Sequence, residues 1–130
     1  MNILLSIKPE FSTKILSGEK RYEFRKQVPK TSIDRVFIYE SSPTQNIVGW
    51  FDVMEIMEGH PDSIWKKCNG DGGIDKTRFF RYCNGNSKVY AYSIKDVHRF
   101  PVPIDPYALD EGFTPPQNFA YIEPDSVLHQ

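Results

Sequence analysis

Gly18-Glu19-Lys20-Arg21-Tyr22-Glu23-Phe24-Arg25 is the stretch from which the rest of the chain is read. Within it, Arg21-Tyr22-Glu23-Phe24-Arg25 alternates polar and aromatic residues with a period of two, the pattern of a strand with one face in a core. On that pattern Tyr22 and Phe24 face inward, and Arg21, Glu23 and Arg25 share the opposite face. Glu23 and Arg25 are near enough to pair, and Lys20 falls where the preceding turn becomes the strand. A lysine, a carboxylate and a guanidinium at one rim suit a phosphorylated or polar planar ligand. Arginine supplies a bidentate fork, lysine a compact cation, and glutamate an acceptor or proton carrier. The same spacing also fits an ordinary solvent-facing strand with one Glu–Arg pair of little energetic weight.

Upstream, Ile3 to Ile7 is a short apolar run that reads as a buried strand ending at Lys8. Pro9 suits the first turn of a helix, where its missing N–H is not needed, and Glu10 favours the positive helix end. Phe11, Ile15 and Leu16 recur at helical spacing and Gly18 is a natural stop, which predicts one amphipathic helix over residues 9 to 18. Lys8, just before that helix, adds a cation beside an N-terminus that itself favours anions.

Downstream, Pro29 breaks the strand, Arg35 to Tyr39 reads as another, and Ser41-Ser42-Pro43 closes it. Serines at that strand end either present hydroxyls to a phosphate or base edge, or satisfy their own turn. Ile47 to Ile56 is a longer strand in which Gly49 predicts a bend or bulge. The period then changes: a helix opens at His60-Pro61-Asp62 and ends near Asn69-Gly70, and Asp75 caps a second that Asn84-Gly85-Asn86 stops. Gly70 to Gly73 lacks the context of a phosphate loop and reads as a linker. Val89 to Ile94 is strand-like, running on towards Phe100, and a proline-rich tail follows from Pro101. The expected fold is therefore α+β, a single domain over residues 1–130. It is a small, mixed, mostly antiparallel barrel flanked by short helices, with residues 101–130 packed on it.

Composition narrows the function classes. The chain has 130 residues, 16 basic and 17 acidic, with a formal net charge of −1. A bulk electrostatic grip on a long duplex needs a strongly basic domain and is disfavoured, while a localised basic cleft is still allowed. Cys68 and Cys83 match no zinc spacing, and His60, His98 and His129 form no ligand pair, so no metal or cofactor is expected. The N-terminal apolar run is too short for a secretory signal, and no run approaches a membrane span. A soluble, cytoplasmic protein with reduced thiols is the expectation. Trp65, Phe79 and Phe80 read as core residues in preference to stacking platforms for bases.

The pattern Gly-x-Lys-x-x-Glu-x-Arg, here Gly18, Lys20, Glu23 and Arg25, resembles the signature of the ASCH family, whose domains share a PUA-like β-barrel. Ile7-Lys8-Pro9, the helix ending Ile15-Leu16-Ser17-Gly18, Tyr39-Glu40-Ser41-Ser42-Pro43, Val48-Gly49 and Thr114-Pro115-Pro116-Gln117-Asn118-Phe119 agree with one bacterial and archaeal branch of it. The resemblance implies RNA or nucleotide binding in a cleft beside the helix and motif strand, with Lys8, Lys20, Glu23, Arg25, Ser41 and Ser42 as ligand contacts. Some small ASCH proteins are similar to an amidohydrolase acting on N4-acetylcytidine. There the motif lysine, a threonine at the position of Glu23, and a distant acid, which would fall near Asp71, form the catalytic set. Other members are ribonucleases. The resemblance thus leaves three readings: an RNA-binding module, a metal-independent hydrolase using Lys20, Glu23 and Asp71, and a sensor of a free nucleotide or other small anion.

Overall fold

In the computed structural model, which describes residues 1–124, 126 and 128, the N-terminal apolar run forms strand β1 (Asn2–Ile7). Helix α1 (Pro9–Ser17) follows directly. It starts on Pro9 and stops at Gly18, whose φ of 86° places it in the left-handed region that glycine enters without strain. Gly18 N–H donates to the Ile15 carbonyl, closing the last turn. Strand β2 (Tyr22–Arg25) is the motif strand, and β3 (Arg35–Glu40) and β4 (Asn46–Gly59) follow. Helices α2 (Pro61–Cys68) and α3 (Lys76–Cys83) are capped at their starts by the side chains of His60 and Asp75. Both end on an asparagine in left-handed conformation, Asn69 and Asn84.

The last third departs from the sequence reading. Strand β5 does not end near Phe100 but runs from Val89 through Pro101 and Pro103 to Ile104. The tail then adds a one-turn helix, α4 (Pro106–Leu109), and a short strand, β6 (Ala120–Ile122), which pairs antiparallel with β1. Pro101 and Pro103 lie in the stretch between the paired positions Arg99 and Ile104, where no ladder partner on β4 is required of them.

All six strands form one sheet in the order β2-β5-β4-β3-β1-β6. The β1–β3 pair is parallel, and the other described pairs are antiparallel. The ladder does not close into the expected barrel, since β2 and β6 are its two ends. It is nonetheless irregular where closure would need bending: the β4–β5 register shifts at Ile47/Gly49, Phe51/Asp52 and Val53/Glu55. Gly49 sits at the first shift, where a Cβ would run into the His98 backbone carbonyl, so only glycine lets the two strands approach there.

Three clusters of buried side chains hold the layers together. Ile3, Leu5, Ile15, Val36, Ile38, Phe51 and Tyr92 join α1 to one face of the sheet. Phe24, Ile64, Phe79, Val89 and the two free thiols Cys68 and Cys83 join α2 and α3 to the β2–β5 end. Leu4, Phe37, Tyr39 and Ile47 form the third cluster, towards which Phe100, Ile104 and Phe113 of the C-terminal third pack. Trp65 and Phe80 pack against the second, as core residues.

Candidate functional site

A cleft of about 200 Å³ opens where the end of β1, α1, β2 and the approach to α3 converge. Ser6, Ile7, Lys8 and Phe11 form one side; Lys20, Glu23, Phe24 and Arg25 form another; Ile74 and Tyr82 complete the wall. Four of the residues expected from the sequence, Lys8, Lys20, Glu23 and Arg25, therefore line one cleft.

Their environment is not the solvated strand face that the alternation suggested. Glu23 is 6% exposed and Lys20 only 3%. Strand β2 is covered on both sides: Phe24 packs into the α2–α3 cluster, while Glu23 faces the enclosed cleft. Period two separated Phe24 from Glu23, but both border the cleft, and the alternation could not say that the polar side is buried as well.

Burial makes the charge arrangement matter. Glu23 lies between two cations. Its Oε1 is 3.5 Å from Lys20 Nζ, and its Oε2 accepts from Arg25 Nε at 3.1 Å and Nη2 at 2.8 Å. Arg25 Nη2 also donates to the Ser6 carbonyl at 2.8 Å. Lys20 Nζ donates to the Gly72 carbonyl and stands 5.0 Å and 5.3 Å from the rings of Phe24 and Phe11. Desolvation holds the Lys20 ammonium below the ordinary lysine range, and the Glu23 carboxylate opposes that shift. Burial likewise pushes the Tyr82 phenol up.

The linker between α2 and α3 contributes backbone and not side chains. Asp71 points to solvent, and its carbonyl accepts from Arg21 N–H at 2.8 Å. It does not line the cleft. A Cβ on Gly72 would stand 2.5 Å from the Phe24 ring, and one on Gly73 2.8 Å from Lys20 Cβ. These glycines let the main chain lie against the motif strand, so the linker presents the Gly72 carbonyl to Lys20 and turns the Asp71 carboxylate away. Ser41 and Ser42 sit in the turn after β3. Ser41 N–H donates to the Ile7 carbonyl, and neither serine lines the cleft. Trp50 is occupied elsewhere, stacked on His98 with the Arg35 guanidinium 3.5 Å over its ring.

Three contributors were not picked out from the sequence. Ser6 gives a carbonyl to Arg25, and its hydroxyl donates to the Pro116 carbonyl at 2.8 Å. Tyr82 reaches the cleft from α3, where helical spacing alone reads it as core. Tyr92 of β5, paired in register with Glu23, is fully buried with a hydroxyl that no described group satisfies. Among the described residues no group of three or more His, Cys, Asp or Glu side chains could hold a metal, and His129 lies outside them. No described helix is long and apolar enough to cross a membrane.

Comparison with known proteins gives a consistent set. The ASCH domain model matches residues 5–96. An ASCH domain-containing ribonuclease of Zymomonas mobilis subsp. mobilis is 27% identical, with 95% of this chain and 86% of that protein covered. The large ribosomal subunit protein uL22 of Ureaplasma parvum serovar 3 is 29% identical over 93% of this chain, which spans 39% of that protein's length. Among solved structures, ASCH from Zymomonas mobilis superposes with a TM-score of 0.88 at 24% identity, covering 95% of this chain and 88% of that one. The N-terminal domain of Staphylothermus marinus McrB superposes with a TM-score of 0.57 at 8% identity, over 95% and 88% of the two chains. These structural likenesses concern the fold.

Proposed function

The chain belongs to the ASCH domain family, and on that premise we propose that it binds single-stranded RNA in the cleft beside α1 and β2 and cleaves the backbone there. The observation that carries the reading is one buried carboxylate, Glu23, held between Lys20 and Arg25 in a cleft whose other walls include Phe11, Phe24 and Tyr82. Cations for a phosphate and rings for a base are the two requirements of single-strand recognition. The net charge of −1 and the size of the cleft suit one splayed nucleotide better than a duplex. The name of the Zymomonas relative, a ribonuclease, agrees.

The groups in the cleft suffice for cleavage by the RNA's own 2′-hydroxyl. Glu23 Oε1 takes the 2′-OH proton, and the 2′-oxygen attacks the adjoining phosphorus. The bond from phosphorus to the 5′-oxygen breaks, and the Lys20 ammonium gives that oxygen a proton. The products are a 2′,3′-cyclic phosphate and a 5′-hydroxyl end. The proton on Glu23 then returns to the Lys20 amine across the 3.5 Å gap, restoring both groups. Desolvation makes Lys20 a readier acid than a free lysine. Arg25 holds Glu23 with Nε and Nη2, and no described residue occupies its Nη1 donors, which are left for the phosphate.

The test is a DNA oligonucleotide carrying one ribonucleotide, set beside its all-deoxy twin. The reading predicts a cut after the ribose and an intact twin. Cutting of both strands, or of neither while acylated cytidine is deacylated, removes it.

A further inference from the structure

We propose that a second, polar pocket adjoining the cleft is the subsite for the nucleobase next to the scissile bond, read by the side-chain amides of Gln27 and Asn118. This rests on the RNA reading of the cleft. The pocket, of about 420 Å³, shares Arg25 and Tyr82 with the cleft and adds Lys26, Gln27, Gln117 and Asn118. Two cavities joined through the residue that faces the phosphate are what two consecutive nucleotides require.

The chemistry of the two cavities differs in the way such a division needs. The cleft offers charge and aromatic surface, whereas the pocket offers amides. Asn118 Nδ2 donates to Gln27 Oε1 at 2.7 Å. That bond fixes both side chains while leaving Asn118 Oδ1 as an acceptor and Gln27 Nε2 as a donor. An acceptor and a donor side by side match the edge of a base, and Asn and Gln are the residues that make such paired contacts. Lys26 Nζ lies 4.8 Å over the Tyr82 ring, which sets a cation at the junction of the two cavities.

The pocket is also built onto the cleft. Ser6 binds Arg25 through its carbonyl and the tail through its hydroxyl, which donates to Pro116. One residue thus anchors the cleft's arginine and the segment that carries Gln117 and Asn118. The tail supplies a wall that the motif strand cannot make by itself.

The experiment measures kcat and KM for four otherwise identical single-ribose substrates that differ only in the base 3′ of the cut, with Kd as the readout where RNA binds uncut. The wild type is expected to discriminate among the four by about tenfold or more. Asn118→Ala and Gln27→Leu are each expected to reduce that spread to about threefold through KM or Kd, with kcat on the best substrate little changed. Both side chains are exposed, and a thermal melt of each variant confirms that it folds. A wild type without base preference, or variants that keep it, overturns the subsite alone. A wild type that neither binds nor cuts any of the four overturns the RNA reading and the subsite with it.

Discussion

Arg25 Nη2 donates to the Ser6 carbonyl at 2.8 Å, although β2 and β1 stand first and fifth in the six-stranded sheet. The sheet therefore rolls until its first strand faces its fifth, and a side chain spans the gap that no ladder hydrogen bond crosses. The same guanidinium grips Glu23, so the closure of the roll and the geometry of the cleft depend on one residue.

Arg25→Lys keeps the charge and loses the fork. A lysine cannot donate to Glu23 Oε2 through two nitrogens and reach the Ser6 carbonyl in one plane, as Arg25 does. Glu23 is left with one partner in a site largely closed to water. We expect a loss of about 2–4 kcal/mol in urea unfolding, because breaking a buried pair leaves an uncompensated charge. Equal stability of Arg25→Lys and wild type rules out the bridging role.

Glu23→Ala is predicted to destabilise more than Glu23→Gln. Alanine leaves Lys20 and Arg25 facing each other with no carboxylate between, whereas the glutamine carbonyl still accepts from Arg25. The expected cost is about 3 kcal/mol for alanine. Both variants lose the proton acceptor, so both are expected to fall by about 10²-fold or more in cleavage rate. Comparing denaturation midpoints with rates separates the two effects; a glutamine variant that cuts at wild-type speed denies Glu23 its role.

Gly72→Ala tests the linker. A Cβ would meet the Phe24 ring at 2.5 Å, and that ring packs edge-on against Phe79 with centroids 4.8 Å apart. Overpacking of this kind typically costs about 1–3 kcal/mol, and it also shifts the Gly72 carbonyl from Lys20. A drop in melting temperature together with slower cleavage is expected, whereas Gly70→Ala, at a φ of 85° but with nothing within 4 Å of a Cβ, is expected to lower the melting temperature without slowing cleavage.

Alkaline pH should weaken the fold. Burial pushes the Cys68 thiol up to about 11 and the Tyr92 phenol up to about 12. Each holds its proton when folded over a range where the unfolded chain has lost it. That stability is whole below pH 9 and is lost as pH climbs through the folded values, at up to about 1.4 kcal/mol per pH unit for each group. Lys20, shifted down, acts in the opposite sense up to its ordinary value near 10.5. Tyr92→Phe is expected to flatten the alkaline decline. Near pH 7 it should be neutral or stabilising by about 1 kcal/mol, because the hydroxyl it removes has no described partner. Melting curves from pH 7 to pH 11 check both.

The motif strand, its flanking helix and the αL stop at Gly18 were legible because each is local: period two, period 3.6 and a left-handed residue. Alternation puts Glu23 and Arg25 on one strand face with Lys20 at the turn and Lys8 beside the helix start, and the family resemblance is what makes that face a cleft. What escaped was non-local. Prolines at 101 and 103 disguised the continuation of β5, and Ala120–Ile122 is too short to show a period. Asp71 is brought in by the family resemblance, and within a glycine-rich run a resemblance cannot say whether the carboxylate or the carbonyl turns inward. The contacts of Ser6 depend on a tail 110 residues away, which no window of sequence contains.

The most direct measurement is of the products and rate of RNA cleavage in EDTA by wild type and Lys20→Met, both shown to be folded. The account predicts 2′,3′-cyclic phosphate and 5′-hydroxyl ends from the wild type, and a rate lower by about 10²-fold or more when the buried ammonium is replaced by an uncharged chain of similar length. Cleavage by Lys20→Met at the wild-type rate, or 3′-hydroxyl and 5′-phosphate ends from the wild type, would contradict it.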